Sequence, residues 1–288
     1  MPELAELKLT ADYVNKSSSG IVYTNVKKNP QHKGTELDIP FKYFKITAES
    51  KGKEIVMYIK DDDSEAIIPI RITMGMSGHF KVTNTGQEPK HAHLKFFRKD
   101  GTTLSFVDVR RFGKWTQGLS WNEDRGPDPT TEFEEFKSNI INNIDRKVFN
   151  KPLYEILMDQ KWFNGIGNYL RAEIVYRMGN VNPFLPANQQ LKKYPRLLEL
   201  CRDIPMLAYA KGGGSIKDWD NPFGKDAIQE KFMLCYGNPK MEKIKDNNGR
   251  MFWYDSKWQE DLHDNHLKDW DYYSGLPSPS AYANVVNE

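Results

Sequence analysis

Cysteine is nearly absent: Cys201 and Cys235 are the only two, and no C-x-x-C pair occurs. A cysteine-ligated zinc site and a disulfide framework are thereby excluded. Long apolar runs are missing as well. Nothing approaches the roughly 18 residues of a transmembrane helix, and the first residues lack the apolar stretch of a secretory signal. Neither sign of charge dominates, since 41 Lys and Arg face 39 Asp and Glu for a formal net charge of +2. Internal repeats and low-complexity segments are absent too. What is there is a chain of 288 residues, 39% hydrophobic and 28% charged, the composition of an intracellular, non-secreted globular protein of one or two domains. Such a length supports a sizeable core without staples.

Charge is unevenly placed. Residues 251–288 hold seven acidic and two basic side chains, so the first 250 residues carry the positive excess. A moderately basic body with an acidic end fits an anionic partner, and fits an ordinary charged surface about as well.

The chain reads as two halves of different pattern. Leu4, Leu7, Ala11 and Val14 fall on one face of a short helix that Gly20 closes. Strand-like segments follow at Ile21–Lys27, Tyr43–Ala48, Lys53–Lys60, Ile67–Thr73, His79–Thr83, His91–Arg98 and Thr102–Asp108. Many short strands between turn residues predict a sandwich or barrel. After the turn-forming stretch Asp124 to Pro129 the period changes to that of helices. Phe133, Phe136, Ile140, Ile141 and Ile144 trace one stripe, Leu153, Ile156 and Leu157 a second, and Leu170, Ile174, Val175 and Met178 a third. Prolines at 183–195 and Pro205 are expected to interrupt further helix, and Gly212-Gly213-Gly214 to form a mobile loop. Residues 243–254 read as two strands joined at the Asn248-Gly249 turn.

The N-terminus offers chemistry. Removal of Met1 would leave Pro2 with a terminal secondary amine, whose pKa near roughly 8 leaves a usable neutral fraction at neutral pH. Attack on a sugar C1′ by that amine gives, after ring opening, an iminium that needs no proton to be cationic and so supports elimination of the 3′ phosphate. Glu3 could protonate the sugar oxygen or the departing base. Taken alone, Met1-Pro2-Glu3 reads more simply as the start of a helix.

Further segments change that weighting: Met1 to Glu6, Lys51 to Glu54, Met74-Gly75-Met76-Ser77-Gly78, His91-Ala92-His93, Asp108-Val109-Arg110-Arg111-Phe112-Gly113, and Asp159 to Glu173. In this order the series resembles the formamidopyrimidine-DNA glycosylase/endonuclease VIII family, which repairs oxidised bases. The missing zinc cysteines and the Asn-Gly hairpin resemble the endonuclease VIII-like 1 branch, of animals and some giant viruses, with its zincless finger. The resemblance covers about residues 1–255.

It implies an α+β fold with an N-terminal β-sandwich catalytic domain over 1–130, carrying an active-site helix. A helical domain with a helix–two-turns–helix element would span 131–235, a zincless-finger β-hairpin 236–256 and an acidic C-terminal segment 257–288. Pro2 matches the nucleophile, Glu3 the catalytic acid and Lys53 a hairpin lysine that assists base removal and elimination. Glu6 matches a supporting glutamate. Ala5 departs from the proline of many members. Met76, Arg110 and Phe112 match residues that fill the gap left by an everted nucleotide, a job suited to apolar wedges and an arginine. In isolation Met76 and Phe112 would be read as core.

Asn168 and Arg250 match phosphate-gripping positions, and Lys211 a lesion-contacting one. In the Asn164–Asn168 turn two glycines could let backbone approach a phosphate at a helix N-terminus, although a plain interhelical turn is slightly favoured by spacing alone. His91 is a candidate for a phosphate or active-site hydrogen bond, whereas His91 and His93 make no credible metal pair.

The implied function is a bifunctional DNA glycosylase and abasic-site lyase of base excision repair, removing oxidised pyrimidines and formamidopyrimidines with β,δ-elimination. No metal and no organic cofactor are expected. The expected partner is damaged DNA, duplex and also single-stranded, with no membrane, and the protein is expected to be a monomer in the nucleus or, if viral, in the host nucleus or cytoplasm. Two rivals stand: a non-catalytic nucleic-acid-binding helix–two-turns–helix protein, and a lyase acting only on existing abasic sites.

Overall fold

The computed structural model describes residues 1–214, 216, 219–224 and 232–257. Most of the acidic C-terminal segment, with Trp258, Trp270, Tyr272 and Tyr273, lies outside the described residues. No described helix is long and apolar enough to cross a membrane. Two compact units emerge: one of Met1–Pro2, Glu6–Asn122 and Ile216–Ile228, the other of Glu3–Ala5, Glu123–Ser215 and Gln229–Glu288. Their boundary thus falls just before the Asp124–Pro129 turn, and the first unit also takes in a later segment that sequence patterning assigned to the helical half.

The first unit is an antiparallel sheet of eight strands in the order β5-β7-β6-β1-β2-β3-β4-β8. These are β1 (Tyr23–Lys28), β2 (Phe44–Lys51), β3 (Glu54–Asp61), β4 (Ile67–Thr73), β5 (His79–Asn84), β6 (Ala92–Arg98), β7 (Thr102–Val107) and β8 (Lys114–Gln117). Only Tyr23↔Phe44 joins β1 to β2, whereas β2 and β3 pair from Phe44↔Asp61 through Lys51↔Glu54. So thin a seam lets the two four-stranded halves face each other across one core. That core takes Tyr23, Phe80, Leu94, Phe96, Leu104 and Phe106 from one half, and Phe44, Ile46, Ile55, Met57, Ile59, Ile70, Ile72 and Trp115 from the other. Leu7, Ala11 and Val14 of α1 (Leu4–Ser18) join it. Gly20 follows the helix at φ 69°, the left-handed conformation that glycine tolerates after a helix end. In β3 Val56, pointing away from Ile55 and Met57, is also buried. Strand β8 is missing from the sequence reading because four residues carry too little periodicity to register.

The second unit is helical: α2 (Phe133–Ile141), a 3-10 turn at Lys147–Asn150, α3 (Leu153–Ile156), α4 (Asn168–Met178), α5 (Ala187–Lys193) and α6 (Leu197–Ala210). The stripe expected from Phe133 narrows to Phe136 and Ile140, with Ile141 exposed. Two expectations are corrected. Pro205 lies inside α6 rather than interrupting it. The triple glycine forms the helix end: Gly212 and Gly213 donate to the carbonyls of Tyr209 and Ala208 at φ 82° and 94°, which is the left-handed closure that glycine supplies.

A β-hairpin, β9 (Glu242–Lys245) and β10 (Met251–Tyr254), completes the unit. Its connection is longer than a two-residue Asn-Gly turn. Gly249 N–H donates to the Asp246 carbonyl at 2.9 Å, Gly249 sits at φ 74°, and Asp246 N–H donates to the Arg250 carbonyl at 2.9 Å. A turn followed by a left-handed glycine is the three-residue hairpin solution.

Candidate active site and DNA-facing elements

Glu3 is buried, and its carboxylate is gripped at both oxygens: Oε1 accepts from Tyr169 N–H at 3.0 Å and Oε2 from Leu170 N–H at 3.1 Å. These are first-turn amides of α4, which have no intrahelical partners, so the carboxylate satisfies them and meets the positive end of the helix dipole. Leu4 N–H donates to the Gly165 carbonyl at 3.2 Å. Gly165 has φ 93°, and a Cβ there would lie 2.6 Å from Leu4 Cδ1. The close approach that Gly165 permits is to Leu4, and two of the helix-start donors serve Glu3. Pro2 is buried at the head of the chain, and Glu6 is fully buried in α1.

Lys53 stands in the two-residue turn between β2 and β3, where Lys51 pairs with Glu54 and Gly52 takes φ 56°. Glycine with positive φ at the first turn position matches the twist of a tight hairpin, which presents Lys53 at its tip.

Met76 lies on one of two loops that meet, and Arg110 and Phe112 lie on the other. The loop of residues 74–78 leads from β4 to β5 and that of 108–113 from β7 to β8. Phe112 is 54% exposed, which separates it from a core phenylalanine. The Arg110 guanidinium lies 5.2 Å from the Phe112 ring centre. His91 is half-buried, and its carbonyl accepts from Asp108 N–H at 3.0 Å. Beside it His93 and His32 are buried, their ring centres 4.8 Å apart, with His32 stacked on Trp115 at 4.4 Å. Burial holds both imidazoles below their usual pKa, and each ring is further depressed by cationic or imidazole neighbours, Arg111 among them.

In the second unit, Asn168 opens α4, and its Nδ2 donates to the Met251 carbonyl at 3.0 Å. Arg171, one turn on and fully buried, donates to Asn168 Oδ1 at 2.6 Å, Asp246 Oδ2 at 2.9 Å and the Tyr154 carbonyl at 2.9 Å. Its guanidinium lies 5.1 Å from the Phe252 ring centre. Desolvation depresses the Arg171 pKa, partly offset by Asp246. Burial alone would raise Asp246, but the amides of Arg250 and Asn248 and the Arg171 guanidinium hold it below the usual carboxylate range. Glu173 accepts from Cys235 N–H at 2.9 Å and Tyr236 N–H at 2.8 Å and pairs with Arg177. Thus α4 carries three buried ionic side chains that tie residues 232–251 to itself. Phe252 stacks on Tyr154 at 5.0 Å and Tyr254 meets Phe184 edge-on at 4.9 Å. Arg250 lines a groove of about 360 Å³ with Lys151, Glu155, Asp159 and Asn248. Lys211 caps α6, its N–H donating to the Leu207 carbonyl at 3.0 Å.

Among the described residues, no three His, Cys, Asp or Glu side chains are grouped so as to hold a metal ion. Sequence reasoning missed His32, Ser77, Asp108 and Arg171. A buried arginine in a helix stripe carries no local signal, and Ser77 and Asp108 gain meaning only when their loops meet.

Residues 1–115 match the family model of the formamidopyrimidine-DNA glycosylase N-terminal domain. Endonuclease 8-like 1 of Homo sapiens is 32% identical over 285 residues, covering 88% of this chain and 72% of that protein. A formamidopyrimidine-DNA glycosylase of Wolbachia (strain wRi) is 28% identical over 250 residues, covering 82% and 89%. Among solved structures, MutM (FPG) of Thermus thermophilus aligns with TM-score 0.70 at 21% identity, over 88% of this chain and 97% of that one. A Lactococcus lactis FPG variant bound to Fapy-dG-containing DNA aligns with TM-score 0.72 at 21% identity, over the same shares. With a matching N-terminal family model, a shared fold and a relative of this identity, the chain belongs to the formamidopyrimidine-DNA glycosylase/endonuclease VIII family, whose members are DNA glycosylases with abasic-site lyase activity.

Proposed function

We infer that this chain is a DNA glycosylase and abasic-site lyase of base excision repair that works through Pro2. The observation that carries the reading is the double grip on Glu3, which seats the residue next to Pro2 on the amides that open α4. An acid–base group fixed beside the nucleophile is what the chemistry needs. Once Met1 is removed, the Pro2 nitrogen forms a bond to C1′, the glycosidic bond breaks and the base departs with a proton. Ring opening yields an iminium at C1′. Loss of a C2′ proton then expels the 3′ phosphate, a second elimination expels the 5′ phosphate, and water releases the sugar fragment from the amine. Lys53, at a hairpin tip, assists base departure and elimination, with Glu6 in support.

Damaged DNA is held by Asn168 and Arg250, with His91 as a further hydrogen-bonding group. Met76, Arg110 and Phe112 fill the space vacated by the everted nucleotide, and Lys211 contacts the lesion. Oxidised pyrimidines and formamidopyrimidines are the substrates, in duplex and in single-stranded DNA. The protein acts as a monomer inside the cell, with the β9–β10 hairpin as its finger.

Borohydride trapping on an oligonucleotide with one abasic site tests the reading. Covalent capture is expected for the wild-type chain and sharply reduced capture for Pro2→Gly. Full capture by protein verified to retain Met1 would refute the role of Pro2. DNA binding without any capture would favour the non-catalytic rival.

A further inference from the structure

Of the three crossings between the two halves of the sheet, two are made by the loops that bear Met76, Arg110 and Phe112. The chain passes from β4 to β5 through residues 74–78 and returns from β7 to β8 through 108–113. Since β5 pairs with β7 (His79↔Val107) and β4 with β8 (Thr73↔Lys114), the two crossings run side by side. Asp108, with no exposed surface, stands where they meet. Its Oδ1 accepts from Ser77 Oγ–H of the other loop at 2.5 Å and from Arg110 N–H at 3.2 Å, while Oδ2 accepts from Gly113 N–H at 2.7 Å. Ser77 Oγ in turn accepts from Arg110 N–H at 3.1 Å. The Asp108 carbonyl accepts from His93 Nε2–H at 2.8 Å, and that ring is buried. A buried carboxylate is tolerated only when its oxygens are satisfied, and here Arg110 and Gly113 of the second loop and Ser77 of the first satisfy them.

The contacts define how the three exposed or half-exposed side chains are aimed. Arg110 and Gly113 are pinned by their amides, so residues 111 and 112 must span a fixed gap. Arg111 does so at φ 58°, the one non-glycine residue in the left-handed region among the described residues. The loops also touch through glycine: a Cβ on Gly75 would lie 2.6 Å from Gly113 N and from the Phe112 carbonyl carbon. With these points held, the Arg110 guanidinium rests on the Phe112 ring.

We propose that Asp108 is the positioning residue of the eversion step, one buried carboxylate that locks both loops so that Met76, Arg110 and Phe112 enter the duplex as a single preformed wedge. It acts through them and touches no substrate. The proposal rests on the void-filling role given to those three residues above. A loose wedge would have to be ordered at the moment of insertion, and that cost falls on lesions whose stacking and pairing must be broken.

Asp108→Asn tests it, because the amide offers N–H where one oxygen now accepts an N–H or O–H, so one loop contact must be lost with little change in shape. Single-turnover excision of thymine glycol is measured in two duplexes, opposite adenine and opposite a tetrahydrofuran gap, where no pairing resists eversion. The ratio of the paired to the unpaired rate is expected to fall about tenfold relative to wild type. Ser77→Ala, which removes one donor and keeps the carboxylate, should lower the same ratio by about fivefold and carries the test if Asp108→Asn does not fold. A proportional loss in both duplexes, or an unchanged ratio, would overturn the proposal, since a merely structural residue would not distinguish them. Wild-type protein that fails to be trapped on abasic DNA would overturn the enzyme reading itself, a different result from a wild type that traps while the ratio stays put.

Discussion

Glu3 owes its place to two amide hydrogens that lie 166 and 167 positions further along the chain. Glutamine there can accept one of them but turns its own amide N–H toward the other. Leaving that buried donor unmet costs about 1–3 kcal/mol. Glu3→Gln is therefore expected to lower thermal stability and to suppress base excision. Cleavage at a preformed abasic site should survive better, because the base has already left. Parallel glycosylase and lyase assays on matched oligonucleotides measure the split, and equal loss of both would reject the assignment of Glu3 to base departure. Gly165 shows the limit of reading a residue alone: glycine at a helical turn is visible in sequence, but the Leu4 side chain it accommodates is not.

Helix α4 shows why an element can be legible while its purpose is not. Leu170, Ile174, Val175 and Met178 mark its apolar stripe, yet Arg171, Glu173 and Arg177 are buried as well. A helix covered on all sides loses the amphipathic contrast from which a partner could be inferred. Part of what covers it is the segment leading into and through the β9–β10 hairpin, and Arg171 to Asp246 is the ion pair that ties the hairpin to it. Arg171→Met would leave Asp246 as an uncompensated buried charge, at a cost of about 3 kcal/mol. Because Arg250 N–H hangs on that same carboxylate at 2.9 Å, the loss should disorder the tip. DNA affinity should then weaken alike for all lesions, and the salt dependence should flatten by about one phosphate's worth of counterion release, as it would for Arg250→Ala. Binding isotherms at several salt concentrations decide it; an unchanged slope would show that the hairpin is held by its aromatic contacts alone.

At the scale of the whole molecule, His32 and His93 tie the stability of the β-rich unit to pH. Both rings fold with a pKa below 6.5. Below about pH 6.5 the unfolded chain therefore binds protons that the folded one refuses. Stability should be flat above that pH and fall as pH drops from it toward the folded values. His32→Phe keeps the stack on Trp115 and removes one titrating ring, so unfolding should show about one fewer proton taken up in this window. Denaturant melts at pH 8, 6.5 and 5 provide the measurement, and an identical pH slope in variant and wild type would contradict the linkage.

Local pattern alone determined a good deal of this protein. Alternation and turn residues marked seven strands near their observed positions, 3.6-residue periods marked α1 to α4, and the order of short motifs pointed to the family. Such signals survive in sequence because burial of one face is written every second or every third to fourth residue. Tertiary structure decided the rest. That the sheet bends at one residue pair, that two of its crossing loops lie side by side, and that Asp108 joins them follow from strand order, which no period encodes. Pro205 continues a helix because residues around it are buried and packed, overriding its intrinsic cost. The buried charges of α4 acquire partners some 60 to 75 positions away, and a hydrogen bond of that reach leaves no trace in either segment until the chain has folded.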